Sequence, residues 1–236
     1  QPGDYFTQKF RIYLGPQELS IIKKLNQHWS AVVYYGTFDI IAKLQANLLT
    51  LLYTITHNWG WAIVLFSLAI YIILYPLTLK QMRSMKEMQQ LQPYIEELRK
   101  THKDNPQKLN KAIMELYREH KVNPLGGCLP MILQIPIFFA LYQVLLRSVA
   151  LRGANFLWIK DLSKPDNLFT IPASLPIIGN EINILPILMT IGMFIQQKIS
   201  TVSTGSNAEQ QKMMLIIFPL MFGLIFYRMP SGLVLY

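Results

Sequence analysis

Formally charged side chains are scarce in this chain of 236 residues, and four long stretches lack them entirely. Only 15% of the residues are Asp, Glu, Lys or Arg, whereas a soluble domain typically has about 25%. None occurs between Lys43 and Lys80, or in residues 122–146, 182–197 and 213–227. A helix of roughly 20 apolar residues crosses a hydrocarbon core. The pattern therefore predicts several membrane-spanning helices and argues against a soluble globular domain.

Cysteine and the residue patterns of most catalytic sites are also missing. The single cysteine, Cys128, excludes a disulfide within the chain and is predicted to be a small packing residue. The sequence has no HExxH, no GxSxG and no glycine-rich phosphate loop. No histidine or carboxylate lies within a predicted span, so a proton pump or ion-coupled transporter would lack its relay residues. We therefore expect no enzyme activity, cofactor, metal or small-molecule substrate.

The charges that are present indicate a membrane topology. Of the 22 Lys and Arg residues, ten lie between Lys80 and Lys121, where there are six acidic residues. Because short loops rich in Lys and Arg stay on the cytoplasmic side, this loop is predicted to be cytoplasmic. The formal net charge of +9 is then explained by topology rather than by binding to nucleic acid.

The chain divides into a short N-terminal part and a series of helical segments. Residues 1–36 predict the edge of a water-exposed β-rich domain, with strands in YFTQKFRIYLGP and AVVYYG around a short helix. Residues 37–58 predict an amphipathic helix at the membrane surface, and the alternative is a soluble helix packed on the preceding domain. The other predicted segments are a span at 59–79, a cytoplasmic helical hairpin at 80–124, a span at 125–147, an extracytoplasmic loop at 148–181, a span at 182–202, a cytoplasmic loop at 203–212, a span at 213–228 and the start of a further span at 231–236. Since the chain starts with Gln1 and stops in an apolar stretch, we expect a longer polypeptide.

The cytoplasmic hairpin combines positive charge with apolar side chains at helical spacing. HKDNPQ separates its two predicted helices, with Asn105 as the N-cap of the second. Three methionines fall on the apolar stripe of the first helix: Met82, Met85 and Met88. They would form either an adaptable surface for diverse apolar segments or the core of the hairpin. Three basic residues follow, and positive-inside retention alone would explain much of their charge: Arg99, Lys100 and Lys103.

Uncharged polar side chains recur on one face of several predicted spans. The first span carries four, at i, i+4, i+8 and i+11: Ser67, Tyr71, Tyr75 and Thr78. The third carries three, seven residues apart: Asn183, Thr190 and Gln197. The second contributes Gln134 and Tyr142. Hydrogen bonds between helices would explain any one of them, whereas a hydrated groove open to one side would explain them together.

Four blocks of this sequence resemble the YidC/Oxa/Alb family of membrane protein insertases, and its bacterial members most. The blocks are YPLT at 75–78, LQPYIEELR at 91–99, NPLGGCLPMILQIPIFFALYQVL at 123–145 and PSGLVLY at 230–236. The resemblance runs from about residue 9 to 236. It implies an all-α polytopic membrane protein, with a five-helix core bundle, a cytoplasmic helical hairpin and an interfacial amphipathic helix. It further implies that residues 1–36 end a periplasmic β-domain, that the loop at 148–181 is periplasmic and that the protein lies in the bacterial inner membrane.

The function implied by the resemblance is insertion of nascent membrane proteins. Hydrophobic segments arriving from the cytoplasm would pass into the lipid bilayer along a hydrophilic groove open to cytoplasm and lipid, without nucleotide hydrolysis. The ribosome, its RNA and the Sec translocon are the implied partners. In the hairpin, Arg99, Lys100 and Lys103 would contact the substrate, the ribosome with its RNA, or anionic lipid. The groove would be lined by the polar residues above and by Tyr236 in PSGLVLY.

One position departs from the family pattern. Most members have an arginine in the groove four residues before the Tyr-Pro pair, and Tyr71 occupies that position here. Such a groove does not attract acidic flanks by Coulomb force. Either the Tyr71 hydroxyl, together with Ser67 and the glutamines, hydrates the groove, or this sequence is a variant form.

Two other classes of protein would use the same residues. A small channel or facilitator would need polar side chains along the full length of its spans, and the second span turns apolar in IPIFFALY. An assembly factor would hold other membrane subunits together without inserting anything. Reconstitution with assays for both ion leak and insertion separates the three.

Overall fold

Two units make up the chain, residues Gln1–Tyr34 and residues Tyr35–Tyr236. The computed structural model describes residues 10, 12–15, 21–22, 33–102, 105–123, 129–175, 179–200 and 208–236. Most of the two strands predicted near the N-terminus lies outside these residues. Where they are described, at Phe10, residues 12–14 and residues 33–35, the backbone is irregular, because the pairing that defines a strand is missing there. Ile21 and Ile22 of the predicted short helix are helical.

Helices dominate the described part of the second unit. They are α1 (Asp39–Thr56), α2 (Trp59–Gln90), α3 (Gln92–Thr101), α4 (Pro106–Glu119), α5 (Leu129–Arg147), α6 (Ile184–Ser200), α7 (Ala208–Phe226) and α8 (Ser231–Leu235), with a short 3₁₀ helix at Val149–Leu151. α6 packs along α7, α1 packs on α2 and α5, and α8 lies among α2, α5 and α6. The chain therefore places α8 at the centre of the described helices.

Helix α2 is long because its start is capped and its sequence is apolar. The side chain of Asn58 accepts hydrogen bonds from the backbone N–H groups of Gly60 (2.9 Å) and Trp61 (3.3 Å). The helix runs for 32 residues through Pro76 and on into the segment predicted as the hairpin. Of the described helices, α2 alone is long and apolar enough to cross a membrane by itself, whereas the apolar helical stretches Ile132–Arg147, Ile184–Lys198 and Ile216–Phe226 are shorter.

Helix α1 directs apolar side chains away from the protein. Its buried residues are Ala42, Gln45 and Leu49, and the Gln45 amide donates a hydrogen bond to the Ile137 carbonyl of α5 (3.1 Å). Four apolar side chains of the helix are exposed: Ile40, Leu44, Leu51 and Ile55. Exposed apolar side chains beside a membrane helix favour the membrane-surface interpretation over a soluble helix packed on a preceding domain.

A polar cluster joins the start of α1 to the end of α5. Asp39 accepts a hydrogen bond from the Tyr35 backbone N–H (2.9 Å) and forms an ion pair with Lys43 (2.7 Å). The Arg147 guanidinium lies 5.8 Å from the centre of the Tyr35 ring. Burial raises the pKa of the Asp39 carboxyl, but the bonds from Lys43 and Tyr35 and the charges of Lys43 and Arg147 outweigh it and lower the pKa.

The hairpin consists of the end of α2, α3 and α4. Its core is formed by Leu91, Ile95 and Val122, with Met88, Ile113, Leu116 and Tyr117 packed around them. A single first helix was predicted; instead, the helix breaks at Leu91, since Pro93 has no N–H to bond the Gln89 carbonyl. The side chain of Asn105 accepts from the Lys108 backbone N–H (3.0 Å), as predicted for the cap of α4.

The segment between α5 and α6 contains a small sheet that the sequence reading missed. Strand β1 (Phe169–Leu175) pairs antiparallel with β2 (Gly179–Ile182), and Phe169 lies opposite Ile182. Gly179 has a φ of 80°, in the left-handed region that favours glycine. The region was predicted only as a loop, because Pro172 and the short strands weaken the alternating pattern.

Gly60 of α2 lies close to Phe156 in the segment between α5 and α6, and this contact gives a prediction about stability. A Cβ added at Gly60 would collide with the Phe156 ring, whereas one added at Gly192 of α6 meets nothing within 4 Å. Gly60→Ala should therefore lower the Tm of the purified protein in detergent by about 5 °C, the effect expected of an overpacked contact. Gly192→Ala is the matched control and should leave the Tm nearly unchanged. Equal shifts for both variants would contradict the packing described for Gly60.

Candidate functional site

The polar face of α2 consists of four residues that follow one another at intervals of four, four and three positions, about one helical turn each: Ser67, Tyr71, Tyr75 and Thr78. The two tyrosines are exposed by 58% and 47%, and their ring centres are 6.1 Å apart. The Ser67 hydroxyl donates to the Ile63 carbonyl (2.8 Å), and the Thr78 hydroxyl donates to the Leu74 carbonyl (3.1 Å). Both hydroxyls are thus satisfied by their own helix and leave their oxygen lone pairs on this face.

Gln134 and Tyr236 meet at the centre of the described helices. The Gln134 side-chain amide donates a hydrogen bond to the Tyr236 hydroxyl oxygen over 2.8 Å, between residues 102 positions apart. The Tyr236 ring lies 5.8 Å from that of Phe66, next to Ser67 on α2. Two residues assigned to the groove from sequence are therefore in contact, and Tyr236 packs against the buried Phe66 of α2.

The other polar residues predicted to line the groove are Thr190, Tyr142 and Gln197. The Thr190 hydroxyl donates to the Pro186 carbonyl (2.8 Å), and Thr190 packs against Gly223 of α7. This favours a helix-packing role for Thr190. Tyr142 on α5 and Gln197 on α6 are half-buried.

The hairpin residues separate into exposed and buried positions. Met82 is 62% exposed, Met85 is half-buried and Met88 packs against the hairpin core. The core interpretation of the methionine stripe therefore fits Met88, and the surface interpretation fits Met82.

The basic residues of the hairpin also differ in how exposed they are. Arg99 is half-buried near Tyr117; burial raises the pKa of the Tyr117 hydroxyl, and the charge of Arg99 opposes the rise. Lys100 is exposed, and Lys103 lies outside the described residues.

A buried hydrogen-bond network lies at the end of the helices that carries Trp59, Arg147 and Ile184. We call this the outer end. Asp166 is 3% exposed, and one of its carboxylate oxygens accepts from the backbone N–H groups of Ile184 (2.8 Å) and Leu185 (2.9 Å). The same oxygen accepts from the Trp158 indole (3.2 Å). A carboxylate at this position caps α6 and complements its dipole. Sequence reasoning missed it because Asp166 precedes the helix by 18 residues.

The network continues to α7 and α8. The Asn183 side-chain amide donates to the Tyr227 carbonyl (2.7 Å), and the Tyr227 hydroxyl donates to the Glu181 carbonyl (2.8 Å). Asn183, which the sequence placed on a polar stripe, is thus part of this network.

The loop also bonds the first residues of α8. The Ser231 and Gly232 N–H groups donate to the carbonyls of Lys164 (2.8 Å) and Leu162 (2.9 Å). Beside them, burial raises the pKa of Asp161, but bonds from Ser163 and Gly153 and the charge of Lys164 lower it overall.

Comparison with known proteins assigns the family. The family described as 60Kd inner membrane protein matches residues 51–236. The chain belongs to this family. The predicted resemblance to membrane insertases of the YidC type is thereby confirmed, and membership places the chain in the bacterial inner membrane.

Relatives and a solved structure agree with the assignment. The membrane protein insertase YidC of Syntrophobacter fumaroxidans is 47% identical over 97% of this chain, and that of Pelobacter propionicus is 46% identical over 100%. The chain spans 40% and 42% of their lengths. A crystal structure described as an active YidC insertase with its first transmembrane domain resolved has a TM-score of 0.65 and 30% identity, over 94% of this chain and 51% of that one. The largely helical fold is shared with that structure.

Cysteine labelling tests whether the polar face of α2 is hydrated. Tyr71→Cys should react with a membrane-impermeant maleimide added from the cytoplasmic side, because the thiolate that reacts forms only in water. Ile73→Cys is the matched control, since Ile73 is 65% exposed but lies off the polar face. Both variants need Cys128→Ser to remove the native thiol. Equal labelling of positions 71 and 73 would argue against a hydrated face.

Proposed function

We propose that this chain is the membrane-embedded working part of a membrane protein insertase. It receives nascent hydrophobic segments from the cytoplasm and transfers them into the bilayer along the polar face of α2, without nucleotide hydrolysis. The observation that carries the proposal is the contact of Gln134 with Tyr236 (2.8 Å), whose ring packs on Phe66 of α2. It gathers polar groups from two further helices around α2, in a chain whose relatives are named membrane protein insertases.

The mechanism is physical rather than catalytic. A polar group in hydrocarbon without a partner costs several kcal/mol, which is the main barrier to moving the flank of a hydrophobic segment. Tyr71 and Tyr75 offer that flank hydroxyl groups and ring faces at exposed positions. The apolar part of the segment meanwhile contacts exposed apolar residues of α2, such as Ile72 and Ile73, or lipid. Partition of the apolar part into lipid then supplies the direction.

The buried hydrogen-bond network at the outer end of the helices supports a groove closed to the periplasm rather than a channel. A through-pore needs hydrated polar groups at both ends, yet Asn183 and Asp166 at the outer end are buried and bonded to backbone groups. In this arrangement the exposed polar residues Tyr71 and Tyr75 lie towards the cytoplasmic part of α2. The flank would therefore enter from the cytoplasm and move only part-way before release into lipid.

The hairpin is the proposed first contact for the substrate. Met82 is exposed and flexible, which suits the binding of varied apolar segments. Arg99 and Lys100, with Lys103, would add attraction to the ribosome, to its RNA or to anionic lipid. Contact with the Sec translocon and a periplasmic position for residues 1–36 belong to the same proposal.

Substitution of Tyr71 tests the role of the polar face. In proteoliposomes, Tyr71→Leu should reduce insertion of a single-span substrate with a short polar flank by about three- to fivefold, the ratio that one membrane hydrogen bond corresponds to. Tyr71→Arg should remain active because it keeps the face polar. The readout is protease protection of the inserted substrate, with ion leak recorded in the same vesicles. Undiminished insertion by Tyr71→Leu, or leak without insertion, would refute the proposed mechanism.

Photocrosslinking tests the role of the hairpin. A photoreactive residue in place of Met82 should form adducts with a ribosome-bound nascent membrane segment, because this side chain is exposed. The same residue in place of Met88 should give far fewer, since Met88 packs on the core of Leu91 and Ile95. Adducts at position 88 alone would reverse the assignment of core and surface.

A further inference from the structure

The polar face of α2 offers more hydrogen-bond acceptors than donors. A Ser or Thr hydroxyl has one proton and two lone pairs. The protons of Ser67 and Thr78 are directed to carbonyls of their own helix, at 2.8 and 3.1 Å. What these two residues present to an incoming group is therefore acceptor capacity.

The tyrosine rings favour positive charge over negative charge. The faces of an aromatic ring carry negative potential and attract ammonium and guanidinium groups. Tyr71 and Tyr75 are both about half exposed, and their rings are tilted by 53° at 6.1 Å rather than stacked, so a cation can approach the exposed parts of the rings. Their hydroxyls are neutral and provide at most one donated proton each.

No formal charge lies within the polar face itself, and the first cations that follow it along α2 are Lys80 and Arg83. Residues 44–79, which include the whole polar face, contain no Lys or Arg, and neither do residues 122–146 around Gln134. Gln134 donates to Tyr236, so that pair is partly satisfied internally. A carboxylate accepts hydrogen bonds only and carries the same sign of charge as the ring faces. On this face it would find few donors and no cation.

We propose that this face selects substrates by the charge of the flank and favours flanks with Lys, Arg or uncharged N–H donors over flanks with ionised Asp or Glu. The inference rests on the proposed function and names the substrate class of the same site. Moving either sign of charge into a bilayer is unfavourable by a similar amount. The discrimination therefore reflects the lining of the groove rather than the lipid.

The test compares four substrates that differ at one flank position, which is Lys, Gln, Asn or Asp. Insertion is measured by protease protection in proteoliposomes of zwitterionic lipid at neutral pH, without a membrane potential, and insertion into protein-free vesicles is subtracted. The Lys flank should be inserted about two- to fivefold more than the Asp flank, the ratio expected for cation–π attraction at an exposed site. The Gln and Asn flanks should fall between them.

Variants of Tyr71 separate the ring from its hydroxyl. Tyr71→Phe keeps the ring face and should keep the Lys-to-Asp ratio, whatever it does to the overall yield. Tyr71→Leu should bring the ratio close to one, and Tyr71→Arg should reverse it. Each ratio is internal to one protein preparation, so partial misfolding lowers the yields without changing the ratio.

The outcomes distinguish the two proposals. Insertion of all four substrates with equal yield, or preference for Asp, would overturn the selectivity and leave the insertase proposal intact. Failure to insert any of them would overturn the insertase proposal. A Lys preference that is unchanged in Tyr71→Leu would show that the aromatic face is not its source, which also contradicts the inference.

Discussion

A polar atom that is removed from water must find a hydrogen-bond partner inside the protein, and this constraint determines how the two ends of the helices differ. At the outer end, one carboxylate oxygen of Asp166 accepts hydrogen bonds from two backbone N–H groups of α6. Carbonyls of the loop between α5 and α6 accept hydrogen bonds from the N–H groups that begin α8. The helix ends there are consequently joined by bonds that need no water, although the other carboxylate oxygen of Asp166 is buried without a hydrogen-bond partner among the described residues. Further along α2 from that end, Tyr71 and Tyr75 remain exposed. Polarity that is satisfied at one end and available at the other is what a half-open groove requires.

The same constraint explains why α8 is important despite its length of five residues. A helix this short has little stability of its own. It is held because the loop bonds its start and because Gly232 allows the Leu162 carbonyl to come within 3.1 Å of the place where a Cβ would be. That anchoring fixes the direction in which α8 enters the centre of the helices. Tyr236, one turn later, then reaches Gln134 and the ring of Phe66.

Local features of this fold could be predicted from the sequence, and long-range ones could not. The polar spacing of Ser67 and Tyr71 and the cap at Asn105 depend on neighbours within a few turns, so the helical period reveals them. The meeting of Gln134 with Tyr236 could be anticipated only as membership of one groove, because no period relates residues on different helices. Asp166 illustrates the limit: its partners at Ile184 and Leu185 follow a hairpin whose strands were not recognised. The break at Leu91 was missed for a different reason, since Pro93 is compatible with the first turn of a new helix as well as with a kink.

Hydrogen-bond direction adds information that residue type alone does not give. A list of Ser, Thr, Tyr and Gln describes a neutral polar surface, equally suited to donors and acceptors. In the folded helix, the protons of Ser67 and Thr78 are already bonded to the carbonyls of Ile63 and Leu74, so the surface that remains is weighted towards acceptors. Replacing a charged residue by tyrosine at position 71 therefore does not make the face indifferent to charge. It leaves ring faces and lone pairs as the dominant electrostatic features, and both attract cations. The selectivity that we infer therefore needs no formal charge in the proposed groove.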